Sequence, residues 1–150
     1  MTMVETSIWI DAPIERLFDL ARDLNVHTLT TARTGERVVR RTGSGLMQLG
    51  DEVTFEARHL GVKQQLTSII AELRAPERFV DEMVKGAFKQ MRHEHLFAEE
   101  YGGTRMTDRL EFTAPLGALG QIVSRMFLAR YMRRFLEQRG SELKRLAEAA

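Results

Sequence analysis

Hydrophobic and polar positions along the chain switch between two periods, and the switches mark out its elements. Val4–Ile10, V-E-T-S-I-W-I, is short and β-branched and predicts a strand. Asp11-Ala12-Pro13-Ile14-Glu15 then reads as a helix start, with Asp11 as cap and Pro13 in the first turn. Apolar residues follow at Ile14, Leu17, Phe18 and Ala21, the spacing of one helical face. A second short helix is expected over Leu24 to Thr30.

From about residue 35 the pattern turns to strands bounded by Gly, Pro or charged turns. The expected strands are Glu36–Thr42, Asp51–Leu60, Val62–Leu73, Arg78–Val84, Phe88–Glu99 and Thr104–Thr113. Their separators, such as Gly43-Ser44-Gly45, Gly61 and Gly102-Gly103, are too short for crossover helices, so the sheet should be an antiparallel meander. After Ala114-Pro115-Leu116-Gly117 the period becomes helical and stays so. Leu119, Ile122, Val123, Met126, Phe127, Tyr131, Phe135, Leu143 and Leu146 form one apolar stripe. Roughly 30 residues predict a helix of about 45 Å, long enough to cross the whole sheet.

Strand alternation separates the two faces of that sheet. The inward sets are Val53, Phe55, Ala57, His59; then Met91, His93, His95, Phe97; then Met106, Asp108, Leu110, Phe112. In Arg78–Val84 the pattern is ambiguous between Phe79, Asp81, Met83 and Val80, Glu82, Val84, and the Phe79 set is taken as inward. One mostly apolar face therefore carries His59, His93, His95, Asp108 and Asp81. Burying unpaired ionisable groups is costly, so this collection argues for a cavity rather than a dry core.

Three readings of the cluster stand side by side. The histidines are hydrogen-bonded to neighbours such as Asp108 and serve structure alone. Alternatively, His93-x-His95 places two imidazoles on one side of a strand, a start for a metal site; nothing else in the sequence has ligand spacing, so no metal and no cofactor is expected. A histidine beside a carboxylate also suits acid–base chemistry, with His93, His95 and Asp108 as the candidates. Met83, Met91, Met106, Met126 and Met132 fall in the strands or the long helix, and methionine adapts to irregular apolar shapes.

Composition narrows the classes further. The 150 residues are 43% hydrophobic and 29% charged, ordinary for one folded domain spanning residues 1–150. The net charge is +1, from 22 basic and 21 acidic residues, so there is no overall pull toward nucleic acid, and none is expected as a partner. With no cysteine, disulfides and thiolate chemistry are excluded. Neither a signal peptide nor an integral membrane segment is visible, and a cytoplasmic location is the expectation. Arg125, Arg130, Arg133, Arg134, Arg139, Lys144 and Arg145 give the long helix a basic, solvated face, interleaved with Glu137, Glu142 and Glu148. Gly43–Gly45 lacks the lysine of a phosphate-binding loop and reads as a mobile connection at a pocket mouth. No feature marks a protein partner.

The element order, with I-D-A-P-I-E-R-L-F at Ile10–Phe18, V-D-E-M-V-K-G at Val80–Gly86, R-H-E-H at Arg92–His95 and A-P-L-G before the last helix, resembles the SRPBCC superfamily. That superfamily includes START lipid-transfer domains, birch-pollen-allergen proteins and polyketide cyclases, and the chain looks like its bacterial polyketide-cyclase-like or ligand-binding members. The resemblance implies an α+β helix-grip fold: a curved antiparallel sheet of about seven strands around a long C-terminal helix, with one or two short helices after the first strand. It implies an interior cavity for a small hydrophobic or amphipathic molecule such as a lipid, isoprenoid or polyketide. The expected contacts are Phe55, His59, Phe79, Met83, Met91, His93, His95, Phe97, Met106, Asp108, Leu110, Met126, Phe127 and Tyr131. The alternative is an aromatase/cyclase-type enzyme using the cavity histidines, since polyketide cyclases promote aldol condensation and dehydration. Whether the chain is an enzyme stays open.

Overall fold

The structure is a computed structural model that describes residues 1–114 and 125–149. In chain order it contains β1 (Thr2–Ile10), α1 (Ile14–Ala21), α2 (Leu24–Thr30), a 3-10 turn (Ala32–Thr34), β2 (Arg37–Arg41), β3 (Glu52–His59), β4 (Val62–Arg74), β5 (Arg78–Gly86), β6 (Gln90–Glu100), β7 (Gly103–Thr113) and α3 (Arg125–Glu148). The strands form one curved antiparallel sheet in the order β1-β7-β6-β5-β4-β3-β2. Strands β2 to β7 are the expected meander, and β1 closes the far edge by pairing with β7 from Thr2↔Phe112 to Ile10↔Thr104. The arrangement is a helix grip. No helix among the described residues is long and apolar enough to cross a membrane.

The start of α1 differs from expectation. Pro13 occupies the N-cap position at φ −60° and ψ 146°, with no side-chain cap. Its fixed φ leads the chain into the helix, and Asp11 lies two residues too early to cap it. Asp11 instead donates its backbone N–H to Glu148 Oε2 at 2.8 Å, tying the entry of α1 to the end of α3. Helix α2 is capped by side chain: Asp23 Oδ1 accepts from the Asn25 and Val26 amides at 2.9 and 3.3 Å.

Helix α3 has 24 described residues, about 36 Å at 1.5 Å each. Leu119, Ile122, Val123 and the Pro115-Leu116-Gly117 segment lie outside the described residues. Met132, Leu136, Leu143 and Ala147 are buried against the sheet and α1. Met126 and Phe127 are 66% and 49% exposed, contrary to their place in the predicted stripe. Counting back from Met132 in steps of three and four reaches Leu128 and Ala129, which are the residues that turn inward there.

Two apolar clusters frame the interior. One joins α1 to the sheet and the end of α3 through Phe18, which meets Phe79 and Phe97 edge-on at 5.6 and 5.3 Å. The other joins Leu110 and Phe112 of β7 to Met132 and Leu136 of α3. At the sheet edge, a Cβ at Gly103 would lie 2.5 Å from the Ile10 carbonyl oxygen and 2.7 Å from the Trp9 ring, so only glycine lets β7 begin beneath Trp9.

Candidate functional site

Between the sheet and α3 lies a cavity of about 200 Å³. Its wall is apolar over most of its area, with Val53, Phe55 and Ala57 from β3, Ile70 from β4, and Leu128 and Leu136 from α3. It reaches the surface beside Leu60, which is 44% exposed. Alternation places His59 in line with the β3 set, and Phe79 with Asp81, Met91 with His93 and His95, on β5 and β6.

The polar part of this wall is a connected network. The register pairs Asp81 with His93 across β5–β6 and His95 with Asp108 across β6–β7, which gathers the four groups. His95 Nε2 donates to Asp81 Oδ2 at 2.7 Å, and His93 Nε2 donates to Asp108 Oδ1 at 2.8 Å. His95 Nδ1 lies 3.2 Å from the same Asp108 oxygen, without hydrogen-bond alignment. The two imidazoles stack at 3.7 Å, and Phe79 covers the other face of His95 at 4.0 Å. Arg139 enters from α3, with Nη1 at 3.6 Å from Asp108 Oδ1.

Burial alone would raise the pKa of Asp108, but the His93 hydrogen bond and the close approach of His95 outweigh it and hold the carboxyl well below its ordinary value. For Asp81, burial again pushes up, and the His95 bond with the charges of His95, His93 and Arg139 brings the net result down. The histidines move oppositely. Burial and the neighbouring His95 push His93 down against the pull of Asp108, whereas in His95 the nearby Asp108 carboxylate and the Asp81 hydrogen bond overcome burial and raise it. His93 is thus biased toward the neutral form and His95 toward the charged one, the arrangement that costs least for two stacked rings.

Two opposed pH dependences of stability follow from these directions. His93 and His59, both held below the ordinary 6.5, contribute stability that is lost as pH falls through that value, because the unfolded chain then binds more protons. Asp81, Asp108 and Glu36, held below 3.8, 3.8 and 4.5, add a second loss at more acid pH. His95, held above 6.5, works on the other limb: its contribution is present below 6.5 and lost as pH rises through its folded value. Urea midpoints measured across pH should show both limbs, and His95→Gln should remove the alkaline one. A midpoint unchanged between neutral and mildly alkaline pH would contradict the assignment.

A second polar group faces the first. His59 Nδ1 and the Tyr131 hydroxyl share a hydrogen bond of 2.7 Å. His27 of α2 stacks on Phe55 at 4.4 Å and sits 3.4 Å from Glu36, itself buried. Residues His27, Glu36 and Arg22 belong to this wall and escaped the sequence reading, because strand parity says nothing of side chains arriving from helices and turns. Arg139 also escaped, and here a signal existed: it lies three residues after Leu136 and four before Leu143, inside the apolar stripe. Expected on the solvated face of α3, it is 4% exposed.

Of the residues expected at the cavity, Phe55, His59, Phe79 and Met91 line it, as do His93, His95, Leu110 and Tyr131. Asp108 stands behind the histidines, 2% exposed, and contacts them rather than the open space. Five others lie elsewhere. Phe97 and Met106 face inward as expected but are consumed by packing against α1 and α3. Met83 is partly buried and off the wall; the β4–β5 register slips between Ser68↔Met83 and Thr67↔Lys85, leaving Val84 as an extra residue that bends the strand there. Met126 and Phe127 point outward. Gly43–Gly45 is also off the wall, curled around Asp51, with Arg41 Nη1 donating to the Gly45 carbonyl. Asp81, His93 and His95 bring possible metal-ligand atoms within 4.8 Å of one another. In the observed geometry the two Nε2 atoms are spent on hydrogen bonds to Asp81 and Asp108.

The same architecture recurs in solved structures. TTHA0849 from Thermus thermophilus superposes with a TM-score of 0.81 at 22% identity, covering 99% of this chain and 100% of its own. A START superfamily protein from Mycobacterium smegmatis gives 0.74 at 13% identity, with 97% of each chain covered. The major latex-like protein 151 of Panax ginseng gives 0.71 at 10% identity, covering 98% of this chain and 97% of its own. Identities this low show the fold alone. No curated protein matches the sequence at a significant level. The family model described as polyketide cyclase / dehydrase and lipid transport matches residues 1–148, and the chain belongs to that family.

Proposed function

We propose that the protein binds a small hydrophobic or amphipathic molecule in the cavity between the sheet and α3. The observation that carries this reading is an open interior of about 200 Å³ whose wall is mostly apolar, with its polar groups led by the paired histidines and carboxylates and by Arg22 and Arg139. An apolar cavity of ~150 Å³ is enough to admit benzene, so the ligand is a single ring or a short chain rather than a two-chain lipid. Phe55, Phe79, Met91, Leu110 and Tyr131 supply contact area, while His59, His93 and His95 face its polar end. The family description and the recurrence of the fold in a START superfamily protein support the same class of ligand.

Titration of 15N-labelled protein with 1-octanol tests it. Amide shifts should concentrate at Phe55, Leu110 and Tyr131, and Ala57→Trp, which fills the cavity from β3, should abolish them. Shifts scattered over the surface, or unaltered by the tryptophan, would refute the reading.

A second reading is favoured by one feature. Asp108 fixes His93 through Nε2, so the neutral ring keeps its Nδ1 lone pair as a base, which suits cyclase or dehydratase chemistry. In that case His93→Gln should stop turnover of a poly-β-ketide thioester while the protein stays folded by circular dichroism.

A further inference from the structure

Resting on the cavity-binding reading, we propose that the polar end of the ligand is a carboxylate and that Arg139 holds it. Arg139 is 4% exposed and forms part of the cavity wall. Its Nε has no hydrogen-bond partner among the described residues. Its ion pair with Asp108 spans 3.6 Å, well beyond the ~2.7–2.9 Å of a charge-assisted hydrogen bond. That Asp108 oxygen already receives His93 at 2.8 Å and has His95 at 3.2 Å. The guanidinium therefore keeps unused donors inside a mostly apolar space, where each unmade hydrogen bond is costly.

The other charged groups around it are better matched. Asp81, Asp108 and Glu36 each face a histidine within 3.4 Å. Arg22 spends Nη1 on the Met47 carbonyl and Nη2 on Asp19, and only its Nε is left without a partner among the described residues. Arg139 makes no side-chain hydrogen bond among the described residues and has more capacity left for an incoming anion than Arg22, whose two terminal nitrogens are taken. Its planar fork fits the two oxygens of a carboxylate with two parallel charge-assisted hydrogen bonds, which a single neutral hydroxyl oxygen cannot match. Leu136, Met132 and Leu128 stand one, two and three turns before it on α3, all on the wall, and give the apolar body a track leading away from the head. The ligand class is a small amphipathic carboxylic acid.

Calorimetry with octanoate and its neutral analogue 1-octanol, near neutral pH, tests this. Octanoate should bind the wild-type protein roughly tenfold to a hundredfold tighter than 1-octanol. Arg139→Met should erase that preference, so that octanoate binds no tighter than 1-octanol to the variant. With [1-13C]octanoate, the bound carboxyl resonance should stay in its ionised position below the pH at which the free acid protonates. Equal affinities in the wild type, or a preference that survives Arg139→Met, would overturn the assignment while 1-octanol binding upheld the cavity. Failure of both probes to bind would overturn the two readings together. Should Arg139→Met not fold, the wild-type comparison and the 13C titration still decide.

Discussion

Asp108→Asn is expected to destabilise the protein by about 3–5 kcal/mol, the range for breaking a buried ionic network by removing one partner. Asp108 is 2% exposed and is the shared counter-charge of the interior, with His93, His95 and Arg139 all directed at its Oδ1. Asparagine keeps the shape but removes the charge, and Asp81 alone then faces His95 and the buried guanidinium. For a chain of 150 residues, the loss corresponds to a fall in Tm of roughly 10 °C. The cause can be isolated with a double-mutant cycle. In an Arg139→Met background the same change should cost less, because one of the cations left uncompensated is gone. Urea denaturation of the four proteins measures it. A loss of about 1 kcal/mol or less, the worth of a surface pair, would show that Asp108 is not the counter-charge described.

Phe18→Ala should cost a similar amount, about 3–5 kcal/mol, for a different reason. The ring is 1% exposed and meets Phe79 and Phe97 edge-on, while the Arg22 guanidinium lies 4.7 Å above it. Truncation removes buried area and leaves a void that the sheet cannot collapse to fill. The consequence reaches the cavity, because Phe79 also covers His95 at 4.0 Å. Amide resonances of Phe79 and His95 should move in Phe18→Ala, and 1-octanol affinity should change with them. Leu29→Ala, at a position 63% exposed on α2, is the control and should stay within about 0.5 kcal/mol of wild type. Equal effects at the two positions would contradict the placement of the core.

Most strands were legible because they alternate cleanly and end at a turn residue; Arg78–Val84 was the exception, with apolar residues on both faces. Val53, Phe55, Ala57 and His59 needed only a period of two to be assigned to one wall. The same rule placed Asp81, His93, His95 and Asp108 on one face, and the observed register brings them into contact. Parity failed at Met83, where a bulge shifts the β4–β5 register. It also could not tell cavity from core: Phe97 and Met106 obey the inward rule and are consumed by packing against other elements. Basic character misled at Arg139, because charge suggested solvent while its spacing placed it on the buried side of α3.

What the sequence determined by itself is therefore local and periodic: the element order, the antiparallel meander, and which side of each strand turns inward. These follow from backbone geometry and short turns, which neighbouring residues specify without help from distant ones. What only the tertiary structure decided is where α1, α2 and α3 lay their side chains across that inward face. Their placement fills one end of the concavity with Phe18, leaves the other open, and brings Arg139, His27 and Glu36 to its wall. Contacts between residues far apart in the chain depend on how whole elements dock, and no local period encodes that.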